Sequence, residues 1–202
     1  MLAETAVLPE TGRRMTIEEF WKLPEGPPYY EFEDGEVTEM ARPHGQHQRA
    51  LRVLLRAVDG YLDEHGGGEV WPEIDVELSP RRAYAPDLVF LTEEHADRYS
   101  DDTGRVHGAP DLVVEIASPG TVGRDRLTKL TNYAREGVSW YWLVDPQALV
   151  VEELRLSGEA YLHVGGADMG ETFEPQLFPG LQLNLRELLA RRRTGAEAEI
   201  EE

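Results

Sequence analysis

Pro110 to Pro146 reads PDLVVEIASPGTVGRDRLTKLTNYAREGVSWYWLVDP, and this stretch decides the fold. It opens on a buried-type strand, Val113-Val114-Glu115-Ile116, and turns at Ser118-Pro119-Gly120. It continues as an amphipathic helix carrying Asp125 and Lys129, then returns as a second apolar strand, Trp140 to Val144. A carboxylate inside an apolar strand is costly, on the order of several kcal/mol, unless it is paired. Glu115 therefore needs a cation, from the following helix or from a metal ion.

Side chains alternate along a strand, so Asp111, Val113 and Glu115 share one face, and Leu112, Val114 and Ile116 the other. On the helix, Asp125, Lys129 and Tyr133 form one stripe at i, i+4, i+8. Leu127, Leu130 and Ala134 form another, expected to pack on the sheet. Lys129 borders that face and can lean towards Glu115. Upstream, Tyr84 to Leu91 reads as one apolar strand in which Asp87, preceded by Pro86, stands out. If the two strands are neighbours, their acids converge. Two carboxylates with carbonyl and water oxygens suit Mg²⁺. Such an ion would polarise a phosphate oxygen and lower the pKa of a bound water. An ammonium beside it would offset charge developing on the phosphate.

Outward from this segment, residues 1–14 read as a flexible leader and 194–202 as an acidic disordered tail, bracketing a single domain over 15–193. Thr16 and Glu19 have capping-box spacing for a short helix. Asp34-Gly35 suits a hairpin turn between Tyr30-Glu31-Phe32 and Val37-Thr38-Glu39-Met40. Leu51, Leu54, Leu55, Val58 and Leu62 recur at helical spacing between Gln46 and His65. Val70 to Leu78 alternates as one strand, with Glu73, Asp75 and Glu77 on a solvated face. Residues 92–108 read as a long polar loop. A second hairpin (149–156 with 160–164), a short strand and a helix over 185–192 close the chain. The order α-β-β-α-β-β-β-α-β-β-β-β-α predicts an α/β fold, a mixed α+β sheet with helices packed on it. His44 and His47 read as capping or surface residues. Tyr133 and Trp140-Tyr141-Trp142 read as core or subunit-interface packing.

The 202 residues are 41% hydrophobic and 29% charged, ordinary for a globular protein. No apolar run approaches the roughly 20 residues that span a bilayer, so no membrane partner is expected. The N-terminus lacks a basic-then-apolar pattern. The absence of cysteine fits a cytoplasmic location. The formal charge of −19 opposes a phosphate backbone unless arginines gather on one face. Arg81-Arg82 and Arg124, Arg126, Lys129 are the candidates for that face. A catalytically silent nuclease fold that binds nucleic acid or a protein partner, and an acidic oligomeric scaffold, are the competing readings.

An ordered set of motifs resembles the Uma-two family, a branch of the PD-(D/E)XK nuclease superfamily. The set runs from Met15-Thr16-Ile17-Glu18-Glu19-Phe20 and Tyr30 to Glu36 through His47-Gln48-Arg49 and Pro86-Asp87-Leu88-Val89-Phe90. It continues with Gly108 to Ile116, Ser118-Pro119, Asp125, Lys129-Leu130, Tyr133, Gly137-Val138 and Tyr141 to Pro146. The resemblance implies a restriction-endonuclease-like core with extra N-terminal and C-terminal β-hairpins. It also implies Mg²⁺ ligation by Asp87, Glu115 and the Ile116 carbonyl, with Mn²⁺ as a substitute. The superfamily's lysine, two residues after the glutamate, falls here on Ala117, and Lys129 is expected to replace it. Glu31 is implied as an auxiliary acid, nucleic acid (DNA) as the partner, and a homodimer as the assembly.

Overall fold

The computed structural model describes residues 14–24, 26–40, 45–117 and 124–190, the side chains of 124–126 excepted. The leader up to residue 13, the acidic tail, His44, the Ser118-Pro119-Gly120 turn and the side chain of Asp125 lie outside the described residues.

Helix α1 (Ile17–Phe20) starts at the capping box: the Glu19 amide donates to the Thr16 hydroxyl (3.3 Å) and the Thr16 amide to the Glu19 carboxylate (2.9 Å). Strands β1 (Tyr30–Glu33) and β2 (Glu36–Glu39) make the expected hairpin. Its turn is left-handed at Asp34 (φ +50°) and Gly35 (φ +90°), as a two-residue hairpin loop requires. Helix α2 (Gly45–His65) buries Leu51, Leu54, Val58 and Leu62, the stripe its periodicity predicts.

Two stretches that read as single strands each divide. Residues 70–78 fall into β3 (Gly68–Pro72) and β4 (Val76–Ser79). Residues 84–91 fall around β5 (Arg82–Tyr84) and β6 (Leu88–Thr92). Pro72, the last residue of the edge strand β3, and Pro86, between β5 and β6, mark the breaks, since a residue without an N–H is confined to sheet edges and strand ends. The polar stretch after β6 holds a short 3₁₀ helix (Glu93–Arg98), β7 (Tyr99–Ser100) and β8 (Arg105–His107). There follow β9 (Leu112–Ile116), α3 (Arg124–Glu136), β10 (Trp140–Asp145), β11 (Val150–Ser157), β12 (Ala160–Ala167) and α4 (Leu185–Ala190). The last expected strand reduces to one bridge between Phe173 and Leu183.

The strands form two six-stranded mixed sheets, ordered β2-β1-β5-β4-β8-β7 and β12-β11-β10-β9-β6-β3. The two halves of each divided stretch belong to different sheets, so the chain switches sheets immediately before Asp87. In the second sheet β9 runs parallel to β10 and antiparallel to β6. Alternation along β9 separates two cores. Leu112, Val114 and Ile116 pack with α2 and the Phe173–Leu185 segment. Val113, Val89 and Tyr141 pack with Tyr133 of α3 and with Val76, Tyr84 and Val106 of the first sheet.

Helix α3 corrects one expected face. Leu127 is 65% exposed, whereas Tyr133 is fully buried and Ala134 nearly so. The inward stripe is Leu130, Tyr133 and Ala134. The physical reason is Tyr133, whose ring packs edge-on to Tyr84 and beside Tyr141 while its hydroxyl finds a buried acceptor.

Candidate functional site

The antiparallel register of β6 and β9 pairs Leu88 with Val114. The next position outward sets Asp87 across from Glu115, where opposed residues share a face. Both line one cleft of about 1440 Å³ that also takes Glu31, His47, Ile116 and Lys129. The four side chains singled out in the sequence, Asp87, Glu115, Lys129 and Glu31, thus reach a common cavity from the residue just before β6 and from β9, α3 and β1. Ile116 lines it too, and Ala117 sits beside it with no functional group.

The contacts of each acid are specific. Lys129 Nζ donates to Glu31 Oε1 at 2.6 Å and lies 3.6 Å from Glu115 Oε1. The Tyr133 hydroxyl donates to the same Glu115 oxygen at 2.8 Å. Asp87 accepts the Ile116 amide on Oδ2 at 2.6 Å and His47 Nε2 on Oδ1 at 2.9 Å. Glu31 and Glu33, on the same face of β1, both point to α3 partners, Glu31 to Lys129 and Glu33 taking the Asn132 amide at 2.8 Å.

Three of these residues were not assigned to the site from sequence. His47, read as a cap or surface residue, is buried, with its Nδ1 unpartnered among the described residues. Tyr133, read as packing, supplies the hydroxyl that orients Glu115. Glu73, read as part of a solvated strand face, takes left-handed backbone (φ +47°) at the break after β3. Its amide donates to the Asp87 carbonyl (3.0 Å) and its carboxylate accepts from Gln48 (3.2 Å). His47 sits on the α2 face that also carries Leu51 and Leu54, and that periodicity is the signal that marks it as buried.

Electrostatics follow from crowding. Burial pushes the Glu115 carboxyl up to about 7; Asp87 and Glu31 add to the rise, and Lys129 and the Tyr133 hydroxyl only partly counter it. Burial would lower the Lys129 ammonium, but Glu115 and Glu31 outweigh it and hold the amine above its ordinary range. His47 is likewise raised: burial pulls it down, and the Asp87 hydrogen bond together with the charges of Asp87, Glu73 and Glu115 more than compensates. Tyr133 is raised well above its usual value by burial and by Glu115.

A carboxyl whose folded pKa exceeds its unfolded value binds a proton on folding. Its contribution to stability is complete below the unfolded value and is lost as pH rises through the folded one. In metal-free protein, the Glu115→Gln variant should therefore gain stability relative to wild type as pH rises from 4.5 to about 7. Urea midpoints measured at successive pH values check this; a constant difference across the window would show that Glu115 does not titrate there.

Among the described residues, no three His, Asp or Glu side chains form a ready-made cation cage. The donor set is instead two carboxylates and nearby backbone oxygen, which suits a small hard cation that keeps several waters. Among the described residues both contacts of Glu115 fall on Oε1, which leaves Oε2 to face an ion. Each Asp87 oxygen accepts one protein hydrogen bond and retains a second lone pair. The three crowded acids exceed the positive charge that Lys129 brings, so a dication fits the charge balance.

A family model described as "Putative restriction endonuclease" (Uma2) matches residues 17–186. A crystal structure titled as a "putative nuclease belonging to DUF820" from Anabaena variabilis ATCC 29413 superposes with a TM-score of 0.68 at 21% identity. The match covers 87% of this chain and 97% of that one. No curated protein matches the sequence. The fold is the restriction-endonuclease-like one, and no described helix is long and apolar enough to cross a membrane.

Proposed function

This chain belongs to the Uma2 family, and from that premise we propose that it is a Mg²⁺-dependent endonuclease hydrolysing phosphodiester bonds in nucleic acid, DNA foremost. The observation that carries the reading is the convergence of Asp87 and Glu115, opposed across β6 and β9, with the Lys129 ammonium 3.6 Å from the latter. Asp87, Glu115 and the Ile116 carbonyl would hold the ion, with Mn²⁺ able to substitute. A bound ion of this kind polarises a phosphate oxygen and acidifies its own water.

The chain's residues then divide the work. His47 and the Ile116 amide hold the Asp87 carboxylate in one orientation, and Tyr133 does the same for Glu115. Lys129 stays cationic across the working range because two acids face it. It offsets charge on the phosphate as water adds to phosphorus and the ester P–O bond breaks. Glu31 holds Lys129 in place as an auxiliary acid. The lysine reaches the cleft from α3, and Ala117 stands at the superfamily's usual position. Cutting both strands of a duplex calls for two such sites, hence a homodimer.

The test is cleavage of labelled DNA with and without divalent ions. Nicking is expected in Mg²⁺ and in Mn²⁺ and abolished by EDTA. Salt-sensitive binding with no cleavage under any ion would instead make this a silent nuclease fold. Neither binding nor cleavage would leave an acidic scaffold.

A further inference from the structure

Most arginines in the described residues are already engaged. Arg81 and Arg82 pair with Asp34, and Arg82 also with Glu136. Arg98 and Arg186 donate to backbone carbonyls, and Arg105 and Arg155 lie against the rings of Trp21 and Trp140. The Arg81-Arg82 face that the sequence suggests for phosphate is thus spent on holding the first sheet to α3. Helix α2 differs. Arg49, Arg52 and Arg56 are all exposed. No ion pair to another described residue occupies any of them.

Their spacing, i, i+3, i+7, places them in one stripe on the side of α2 away from Leu51, Leu54 and Val58. The stripe begins beside the cleft, because Gln48, which lines it, is the i, i+4 neighbour of Arg52 on the helix surface. It ends abruptly: the exposed residues of the next two turns include Asp59, Asp63 and Glu64. From Arg49 to Arg56 the helix rises about 10 Å. At one phosphate per roughly 3.4 Å of axis on each strand, that length faces about three phosphates. The positive end of the helix dipole adds to the potential at the cleft end.

We propose that the Arg49-Arg52-Arg56 face of α2 is the docking track for the phosphodiester backbone of the nucleic-acid strand whose scissile bond enters the cleft. The proposal rests on the nuclease reading above. It resolves the conflict between a net charge of −19 and a polyanionic substrate: the repulsive surface is general, and the attraction is confined to one stripe that leads to the acids. The acidic second half of α2 sets where the strand must leave the helix.

Fluorescence anisotropy with labelled single-stranded and duplex oligonucleotides tests this, in Ca²⁺, which balances the site's charge without the octahedral geometry that Mg²⁺ demands. The variants are R49Q/R52Q/R56Q, the charge-reversed R49E/R52E/R56E, and Arg135→Gln as an exposed control on α3. Glutamine keeps helix propensity, and thermal melts monitored by circular dichroism confirm that each variant is folded. For the wild type, log K should fall with log[salt]; the glutamine triple should lower that slope by about 2.7 on duplex and about 2.1 on single strands, with affinity down at least about tenfold at low salt. The control should match wild type. Wild-type binding with an unchanged slope in both triples overturns the track while the nuclease reading stands. A wild-type protein that neither binds nor cleaves either form removes both.

Discussion

Asp87→Ala and Glu115→Ala should each reduce metal-dependent cleavage by at least about 10²–10³-fold, the scale on which a single preorganised electrostatic group matters. The two losses arise differently. Removing the Glu115 carboxylate withdraws one of the two proposed carboxylate ligands from the cleft and frees Lys129 from one of its two anions. Folding tolerates this well, because the carboxylate is disfavoured by its own burial. Removing Asp87 also strips His47 Nε2 and the Ile116 amide of their acceptor. Among the described residues His47 already has a buried Nδ1 without a partner, so a further 1–3 kcal/mol of stability should go, roughly the cost of one orphaned buried donor. Asp87→Asn separates the effects: its one amide oxygen still accepts from one of the two donors, so stability returns in part while the charge an ion needs does not. Groups acting on one ion are not additive, so the double variant should be no slower than the worse single one by more than a small factor. Single-turnover rates at saturating Mg²⁺ decide the matter. Either variant keeping a tenth or more of the wild-type rate would remove that residue from the reaction.

Glu153→Ala should be the most destabilising of the simple truncations outside the cleft, at about 3–5 kcal/mol. Glu153 has no exposed surface. Its carboxylate accepts the indole N–H of Trp142 at 3.1 Å and the Gln176 amide at 3.0 Å, with the Leu177 amide at 3.5 Å. Alanine leaves the buried Trp142 indole N–H without its acceptor, a cost of roughly 1–3 kcal/mol, orphans the part-buried Gln176 amide, and opens a void under the Trp142, Phe173 and Phe178 rings. Because these contacts tie β11 to the segment that covers the α2 side of the core, the loss should be global and cooperative. Glu153→Gln keeps one acceptor oxygen and should fall between the two. Urea denaturation checks the order, and a loss below about 1 kcal/mol for alanine would mean the segment is held by its apolar contacts alone.

Reading outward from single residues shows where local information stops. The α2 stripe, the Asp34-Gly35 turn and the Thr16–Glu19 cap depend on neighbours within one or two turns, so they are legible in order along the chain. Leu127 and Tyr133 are both apolar at plausible inward positions. What chooses between them is a buried acceptor 18 residues earlier in the chain, Glu115, which no periodicity contains. Glu73 and His47 fail for the same reason: the first looks like the solvated side of an alternating strand, the second like the start of a helix, and each is defined by what it meets at Asp87.

The sequence by itself determined that Glu115 and Asp87 are acids in apolar strands that require compensation, and that an amphipathic helix with a lysine follows one of them. Those are properties of composition and period, carried by the backbone's own geometry. Only the tertiary structure decided that the stretches around Pro72 and Pro86 leave one sheet for another, which is what brings Asp87 opposite Glu115. It also decided which arginines are consumed by Asp34 and Glu136 and which remain open on α2. A charge has a fixed sign wherever it stands, but whether it is free depends on partners distant in sequence.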